Sequence, residues 1–107
     1  MPNNFKLKTA QTTASLVTMY TATNVTTTII GMTMANIVSS STNASVKILK
    51  SGGTDIYLVK DAPIPVGSSL VVVGGNQKVV LENGDAIQVV TDTTQAAEVS
   101  LSILEMS

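Results

Sequence analysis

The sequence predicts an all-β protein, a single-domain antiparallel β-sandwich or jelly roll of about eight strands. Val, Ile and Thr supply 37 of the 107 residues, and β-branched residues favour strands. Apolar and polar residues alternate with a period of two in short runs, and turn signals separate these runs at intervals of roughly 8–12 residues. A chain of 107 residues suits one domain spanning 1–107. A small OB-type barrel is the alternative.

The first predicted strand lies near the N-terminus. Phe5 and Leu7 alternate with Lys6 and Lys8, which is typical of a strand. Residues 1–15 are therefore either the first strand of the sandwich or an N-terminal arm that adds to the sheet of a neighbouring molecule. Both alternatives remain open at this point.

The longest predicted strand covers residues 25–38 and follows a short one at residues 16–20. Gly31 interrupts its apolar run, which predicts a β-bulge or a close approach of another backbone. Alternation predicts a core-facing set that consists of Ile30, Met32, Met34 and Asn36. Ile29 and Thr33 are predicted to point the opposite way.

The second half of the chain reads as a series of hairpins. Residues 39–43 are a polar loop. Further strands are predicted at 44–50, 54–60, 69–73, 78–82, 86–90 and 99–104. Turn signals separate several of them, at Gly52-Gly53, Gly74-Gly75-Asn76 and Asn83-Gly84, with a polar loop at 91–95.

Two of these strands carry further expectations. Pro63 and Pro65 are expected to end the strand at 54–60, because proline removes a ladder donor. The strand at 69–73 is apolar on both faces, which predicts a central or covered position.

The composition excludes several classes of function. The chain contains no His, Cys, Trp or Arg, so it cannot form a Ser-His-Asp triad, a thiolate nucleophile or a cysteine-histidine zinc site. The carboxylates lie mostly at strand ends and turns, without the spacing of a calcium loop, and Asp85 is expected to cap its own turn. We expect no enzymatic activity, no cofactor and no metal.

The charge balance argues against two kinds of partner. A net charge of -1 and only three aromatic residues do not favour nucleic acid. No apolar stretch approaches the ~20 residues that span a bilayer, so no membrane association is expected. Charged residues amount to 12%, about half the usual ~25%, and mean hydropathy is +0.35. This composition favours a protein that sits among neighbours in an assembly.

The second half carries a more specific pattern. A Tyr-Thr strand at 16–22 precedes an Ile-Pro-Val-Gly turn at 64–67, a Val-Leu-x-x-Gly-Asp-x-Ile-x-Val hairpin at 80–89 and a terminal Ser-x-Leu-Glu at 102–105. This order resembles small virion structural proteins of tailed bacteriophages, including phages of cyanobacteria. The resemblance covers roughly residues 16–106.

The resemblance implies a virion protein, synthesised in the bacterial cytoplasm, and most specifically a capsid decoration (cement) protein. Its implied partners are other virion proteins, with the major capsid protein favoured, and further copies of itself, for instance in a trimer. A neck, tail or baseplate accessory, or a fibre-attachment protein, is the alternative. A carbohydrate-binding module is a further alternative, for which Tyr20, Tyr57 and Phe5 are the available aromatic residues.

Two segments are the predicted contacts with neighbouring proteins. Both are polar or extended and lie where edges and loops are expected. The first is the N-terminal segment from Pro2 to Lys8, and the second is the first polar loop together with the hairpin tips. The residues named as contacts are Pro2, Asn3, Asn4, Phe5 and Lys6 in the first segment, and Ser39, Ser40, Ser41, Thr42 and Asn43 in the loop.

Overall fold

The structure, a computed structural model, describes residues 3–74, 78–93 and 95–106. Within these residues the chain forms nine strands and no helix. The strands are β1 (Asn3–Gln11), β2 (Val17–Thr21), β3 (Thr26–Asn36), β4 (Thr42–Leu49), β5 (Ile56–Ile64), β6 (Ser69–Val73), β7 (Val79–Leu81), β8 (Ala86–Thr91) and β9 (Ala97–Met106). The all-β prediction of about eight strands is confirmed, and each of the nine segments predicted as strands overlaps one.

The strands pair as one long hairpin that is folded over on itself. β1 pairs with β9, β2 with β8, β3 with both β6 and β7, and β4 with β5, always antiparallel. Additional pairs, β3 with β9 and β4 with β8, join these ribbons side by side. The result is a five-stranded sheet of order β1-β9-β3-β6, with β7 also on β3, and a four-stranded sheet of order β2-β8-β4-β5. This pairing is that of a jelly roll, and the two separate sheets exclude the barrel alternative.

Aliphatic side chains fill the space between the sheets. The inward positions of β3 and β9 contribute Met32, Met34, Leu101 and Ile103, which are all at most 1% exposed. The facing residues of the other sheet are Val46, Ile48, Ile87 and Val89. Each buried side chain of this size stabilises the fold by about 1.5–3 kcal/mol, so a core with almost no aromatic residues suffices.

A bulge in β3 changes which residues face this core. The register with β9 shifts between Ile29 and Gly31, so that Ile29 lies opposite Ile103 and Gly31 opposite Ser102. The predicted bulge at Gly31 is confirmed. The prediction that Ile29 faces away from the core is wrong, because the extra residue inverts the alternation and leaves Ile29 fully buried.

Strand β5 continues through Pro63, contrary to the expectation that this proline ends it. Pro63 lies opposite Asn43 in the ladder with β4. β5 pairs with no other strand in the described part of the chain, and an edge strand tolerates proline because one side of its backbone needs no ladder donor.

The predicted central or covered position of residues 69–73 is also wrong. β6 occupies these residues as expected, but it lies at an edge and pairs only with β3 among the described strands. Val71 points away from the other sheet and is 64% exposed, whereas Val73 of the same strand is buried. The predicted turn at Gly74-Gly75-Asn76 lies largely outside the described residues.

Candidate interaction surface

The two sheets cover each other on one side only, and each has a second side that faces solvent. We call the solvent side of the five-stranded sheet the outer face. Directly opposite residues of an antiparallel pair share a face, so the ladder register assigns its members. The outer face consists of Asn3, Phe5, Leu7, Thr9 and Gln11 of β1, Glu98, Ser100, Ser102, Leu104 and Met106 of β9, Thr26, Thr28, Gly31, Thr33 and Ala35 of β3, Ser69 and Val71 of β6, and Val80 of β7.

Four large apolar side chains on the outer face are exposed to solvent. Phe5 is 75% exposed, Leu7 63%, Val71 64% and Val80 55%. Phe5 and Val80 belong to the same row across the sheet, because Leu104 lies opposite Phe5 and Thr28 lies opposite both Leu104 and Val80. The exposed residues therefore lie on one surface, in two pairs at its opposite edges, with mostly small and hydroxyl side chains of β9 and β3 between them. Exposed apolar side chains that share a surface mark candidate interaction sites.

The outer face also carries very little charge. Of its strand positions in the described residues, Glu98 alone is charged. A shallow groove of about 530 Å³ lies beside Glu98, and hydroxyl, amide and small side chains from β1, β9 and β3 line it, among them Thr9, Gln11, Thr33, Ala35 and Ser100. Low charge at the centre of a surface is typical of the part of an interface that becomes fully buried.

The N-terminal contact residues are part of this sheet. Asn3 to Lys6 pair with β9 in the continuous register of β1, so the segment is the first strand of the sandwich and not a detached arm. Phe5 lies on the outer face, as a contact residue requires. Lys6 points to the other side, where its amino group is 2.8 Å from Glu105. Pro2 lies outside the described residues.

The polar loop covers residues 37–41, two residues earlier than the predicted 39–43, and lies at the other end of the molecule. Ser39, Ser40 and Ser41 are exposed. Thr42 is buried and begins β4 with its hydroxyl donating to Asp92, so it is not available as a contact residue. Asn43 is exposed but already pairs with Pro63.

The two predicted contact segments do not form one patch. Phe5 is level with Thr28, whereas the loop leaves β3 after Asn36. Eight residues of extended chain separate these levels, which is about 26 Å. The side-chain amide of Asn36 donates hydrogen bonds to the backbone carbonyls of Ser40 and Ile64. These bonds attach the end of the loop to the sandwich.

The aromatic residues give little support to a sugar site. Tyr20 is buried, and its hydroxyl contacts Thr27 and Glu105. Tyr57 is 40% exposed, but the amino groups of Lys47 and Lys60 lie 5.6 and 4.6 Å from its ring centroid. Cation–π contacts therefore occupy a ring that a sugar would need for stacking.

The buried carboxylate that the sequence placed in a turn has a structural role. Asp85 accepts hydrogen bonds from the backbone N–H groups of Ser51 and Glu82, both at 2.9 Å, and from Lys50 Nζ at 2.8 Å. The prediction that Asp85 caps its turn is confirmed. These bonds, that with Lys50 first, hold the pKa of Asp85 below its ordinary value despite burial. Among the described residues, no group of three or more acidic side chains is arranged to hold a metal ion.

The predicted contact segment Pro2 to Lys8 contains two of the four exposed apolar residues, Phe5 and Leu7. Sequence reasoning missed the other two, Val71 and Val80. These two residues gave no signal of exposure, because an apolar run without alternation predicts burial. Their exposure follows from their position on the outer face, opposite Thr33 and Thr28, and the side of a strand that faces solvent depends on long-range pairing.

Comparisons with protein-family models, with curated proteins and with solved structures found no match to this chain. In the described residues, no helix has the length and apolar character needed to cross a bilayer.

Proposed function

We propose that this protein is a non-enzymatic structural subunit that works by docking the outer face of its five-stranded sheet against other proteins. The observation that carries the proposal is the combination of exposed Phe5, Leu7, Val71 and Val80 with a single charged strand position, Glu98. Burying one such side chain contributes about 1.5–3 kcal/mol, so several must be buried together to offset the association cost of about 4–15 kcal/mol.

The particular assembly that we propose is a tailed-phage virion, with the protein as a capsid decoration subunit. The support is the resemblance of residues 16–106 to small virion proteins and the absence of His, Cys and Arg from the chain. The jelly-roll pairing is compatible with this role because viral capsid domains use it, although lectin domains and cupins use it too, and fold alone does not assign function. A neck or tail position is the second form of the same proposal.

The test is to purify particles from cells that carry the phage or prophage encoding this chain. Quantitative mass spectrometry is expected to find the protein at tens to hundreds of copies per particle, and cryo-electron microscopy to find the outer face against the major capsid protein. Density only at the neck or tail would overturn the decoration role and keep the virion role. Particles without the protein would overturn both.

A further inference from the structure

Each sheet of a sandwich ends in edge strands whose outer backbone groups lack ladder partners. Such edges can receive a strand from another chain, and proteins usually block them with short strands, bulges, proline or charge. Here the edges are β1 and the β6–β7 side of one sheet, and β2 and β5 of the other. The four edges differ in how well they are blocked.

Three of the edges carry features that block strand addition. β5 contains Pro63, a positive φ of 51° at Asp61, and two register shifts against β4. β2 has only five residues and a register shift between Thr18 and Tyr20. β6 and β7 have five and three residues.

The β1 edge has none of the short length, proline or register shifts of the other edges, and its blocking feature is the charge of Lys6 and Lys8. β1 is nine residues long, contains no proline or glycine, and pairs with β9 in an uninterrupted register from Asn3 to Gln11. In the described part of the chain, β9 is its only strand partner. This geometry leaves a straight ladder edge that another extended strand can continue.

Two lysines on β1 determine which strand fits. Lys6 and Lys8 lie opposite Ile103 and Leu101, so both project on the inner side of the edge, away from the outer face. Lys6 is paired with Glu105 at 2.8 Å. Lys8 is half-buried and has no carboxylate within 4 Å in the described residues. Lys8 attracts Glu105 only at longer range, and a cation without a contacting carboxylate in the described residues favours a carboxylate on the incoming strand.

The same lysines oppose pairing with a second copy of β1. The antiparallel register that overlaps all nine residues places Lys6 opposite Lys8 of the second copy, at two positions. A parallel in-register pair places each lysine opposite its equivalent. Like charges directly opposite one another destabilise a ladder, so the edge is suited to a different strand.

We propose that the β1 edge receives a strand from a partner protein, and that this strand alternates acidic with apolar residues. Its acidic side chains lie beside Lys8 and Lys6, and its apolar side chains extend the outer face beside Phe5 and Leu7. This inference rests on the proposed function, because it concerns a partner of the same sheet. It adds that the partner binds through a backbone ladder and carries negative charge.

The test uses the full-length protein and a capped nine-residue peptide of alternating Val and Glu. Amide chemical shifts of the ¹⁵N-labelled protein are followed during titration, which locates the bound peptide. In one control peptide, Lys replaces Glu. A second control peptide keeps Glu and carries N-methyl groups on the side of the backbone that would form the ladder. Two charge-reversed variants are compared, Lys8→Glu at the open edge and Lys60→Glu at the edge that contains Pro63.

We expect shifts concentrated in β1, affinity for the Glu peptide at least tenfold weaker in Lys8→Glu, and unchanged affinity in Lys60→Glu. The Lys peptide is expected to bind Lys8→Glu better than the unmodified protein, and the N-methylated peptide not to bind. Shifts spread over other edges, or equal effects of the two variants, would overturn the inference.

Failure of the inference and failure of the proposed function can be told apart. Abundant protein in purified particles together with no peptide bound at β1 leaves the proposed function standing and removes the strand-addition site. Peptide bound at β1 together with particles that lack the protein leaves the strand-addition site standing and removes the proposed virion function.

Discussion

The phenol of Tyr20, on β2 of one sheet, donates a 2.5 Å hydrogen bond to Glu105, on β9 of the other. The Tyr20 oxygen also lies 2.7 Å from the Thr27 hydroxyl, and Lys6 binds the second carboxylate oxygen of Glu105 at 2.8 Å. This polar cluster joins the two sheets at the end of the sandwich that is level with Phe5. Buried polar groups with all partners in place favour one relative position of the elements that carry them.

Replacing Tyr20 by Phe is expected to lower the free energy of unfolding by about 1–3 kcal/mol, since Glu105 and Thr27 lose a partner in a buried setting. The measurement is urea denaturation followed by far-ultraviolet circular dichroism. Tyr57→Phe is the matched control, because the Tyr57 hydroxyl has no hydrogen-bond partner among the described residues and the ring remains for Lys47 and Lys60. Equal losses in the two variants would contradict the role of the Tyr20 hydroxyl.

Alkaline pH is expected to weaken the same contact. Burial, followed by the bond to Glu105, raises the pKa of Tyr20 from 10.0 to about 12. A group with a raised folded-state pKa stabilises the protein fully below its unfolded pKa and loses that contribution as pH rises through the folded value. The loss therefore falls between about pH 10 and pH 12 and amounts to about 2–3 kcal/mol.

The check is the melting temperature of the unmodified protein and of Tyr20→Phe between pH 8 and pH 12. The difference between the two is expected to shrink above pH 10, because the variant has no phenol to ionise at position 20. A constant difference would mean that Tyr20 does not titrate in this window.

Acidic pH is expected to destabilise the protein by protonating Glu105. The bond from Lys6, and then that from Tyr20, lowers the pKa of Glu105 from its ordinary value of 4.5. A lowered folded-state pKa contributes stability above the unfolded pKa, and this contribution is lost as pH falls through the folded value. Glu105→Gln is expected to flatten the stability profile below pH 4.5 in urea titrations; an unchanged slope would show that Glu105 does not contribute.

Two carboxylates that contact Lys50 are expected to differ sharply in their contributions. Asp85 has a side chain only 2% exposed and also holds the backbone of Ser51 and Glu82, whereas the Glu82 side chain is 71% exposed. Asp85→Asn is expected to cost about 1–3 kcal/mol, because the backbone N–H groups of Ser51 and Glu82 lose a charged, buried acceptor. Glu82→Gln is expected to cost at most about 1 kcal/mol. Thermal denaturation measures both, and similar losses would contradict a structural role for Asp85.

Local patterns in the sequence were sufficient for the strand positions and turns. Asn83-Gly84 and Gly52-Gly53 predicted their turns correctly, because the positive φ values of Gly84 (93°) and Gly52 (74°) suit residues without a Cβ. Gly31 predicted the bulge, but the bulge then placed Ile29 in the core. A pattern of period two cannot show by itself where an inserted residue inverts the alternation.

Long-range pairing, in contrast, could not be obtained from the pattern. Alternation showed that Phe5 and Leu7 share a face. Whether this face is covered by other residues or exposed to solvent depends on the order of strands in the sheet. The edge position of β6 and the exposure of Val71 arise in the same way. The outer face, and with it the candidate site, therefore required the structure, although Phe5 was among the predicted contact residues.

Outer-face side chains are expected to matter for docking and not for folding. Phe5→Ser and Val71→Ser change residues that are 75% and 64% exposed, so each is expected to alter the free energy of unfolding by no more than about 0.5 kcal/mol. If each side chain becomes buried against a partner, its loss weakens binding by about 1.5–3 kcal/mol, which corresponds to roughly 10- to 150-fold.

Binding is measured by cosedimentation of labelled protein with particles that lack the endogenous copy. Ile56→Ser is the matched control, since Ile56 is a 54% exposed apolar residue on β5 of the other sheet. Equal weakening by Ile56→Ser, or full binding by both outer-face variants, would rule out the outer face as the docking surface.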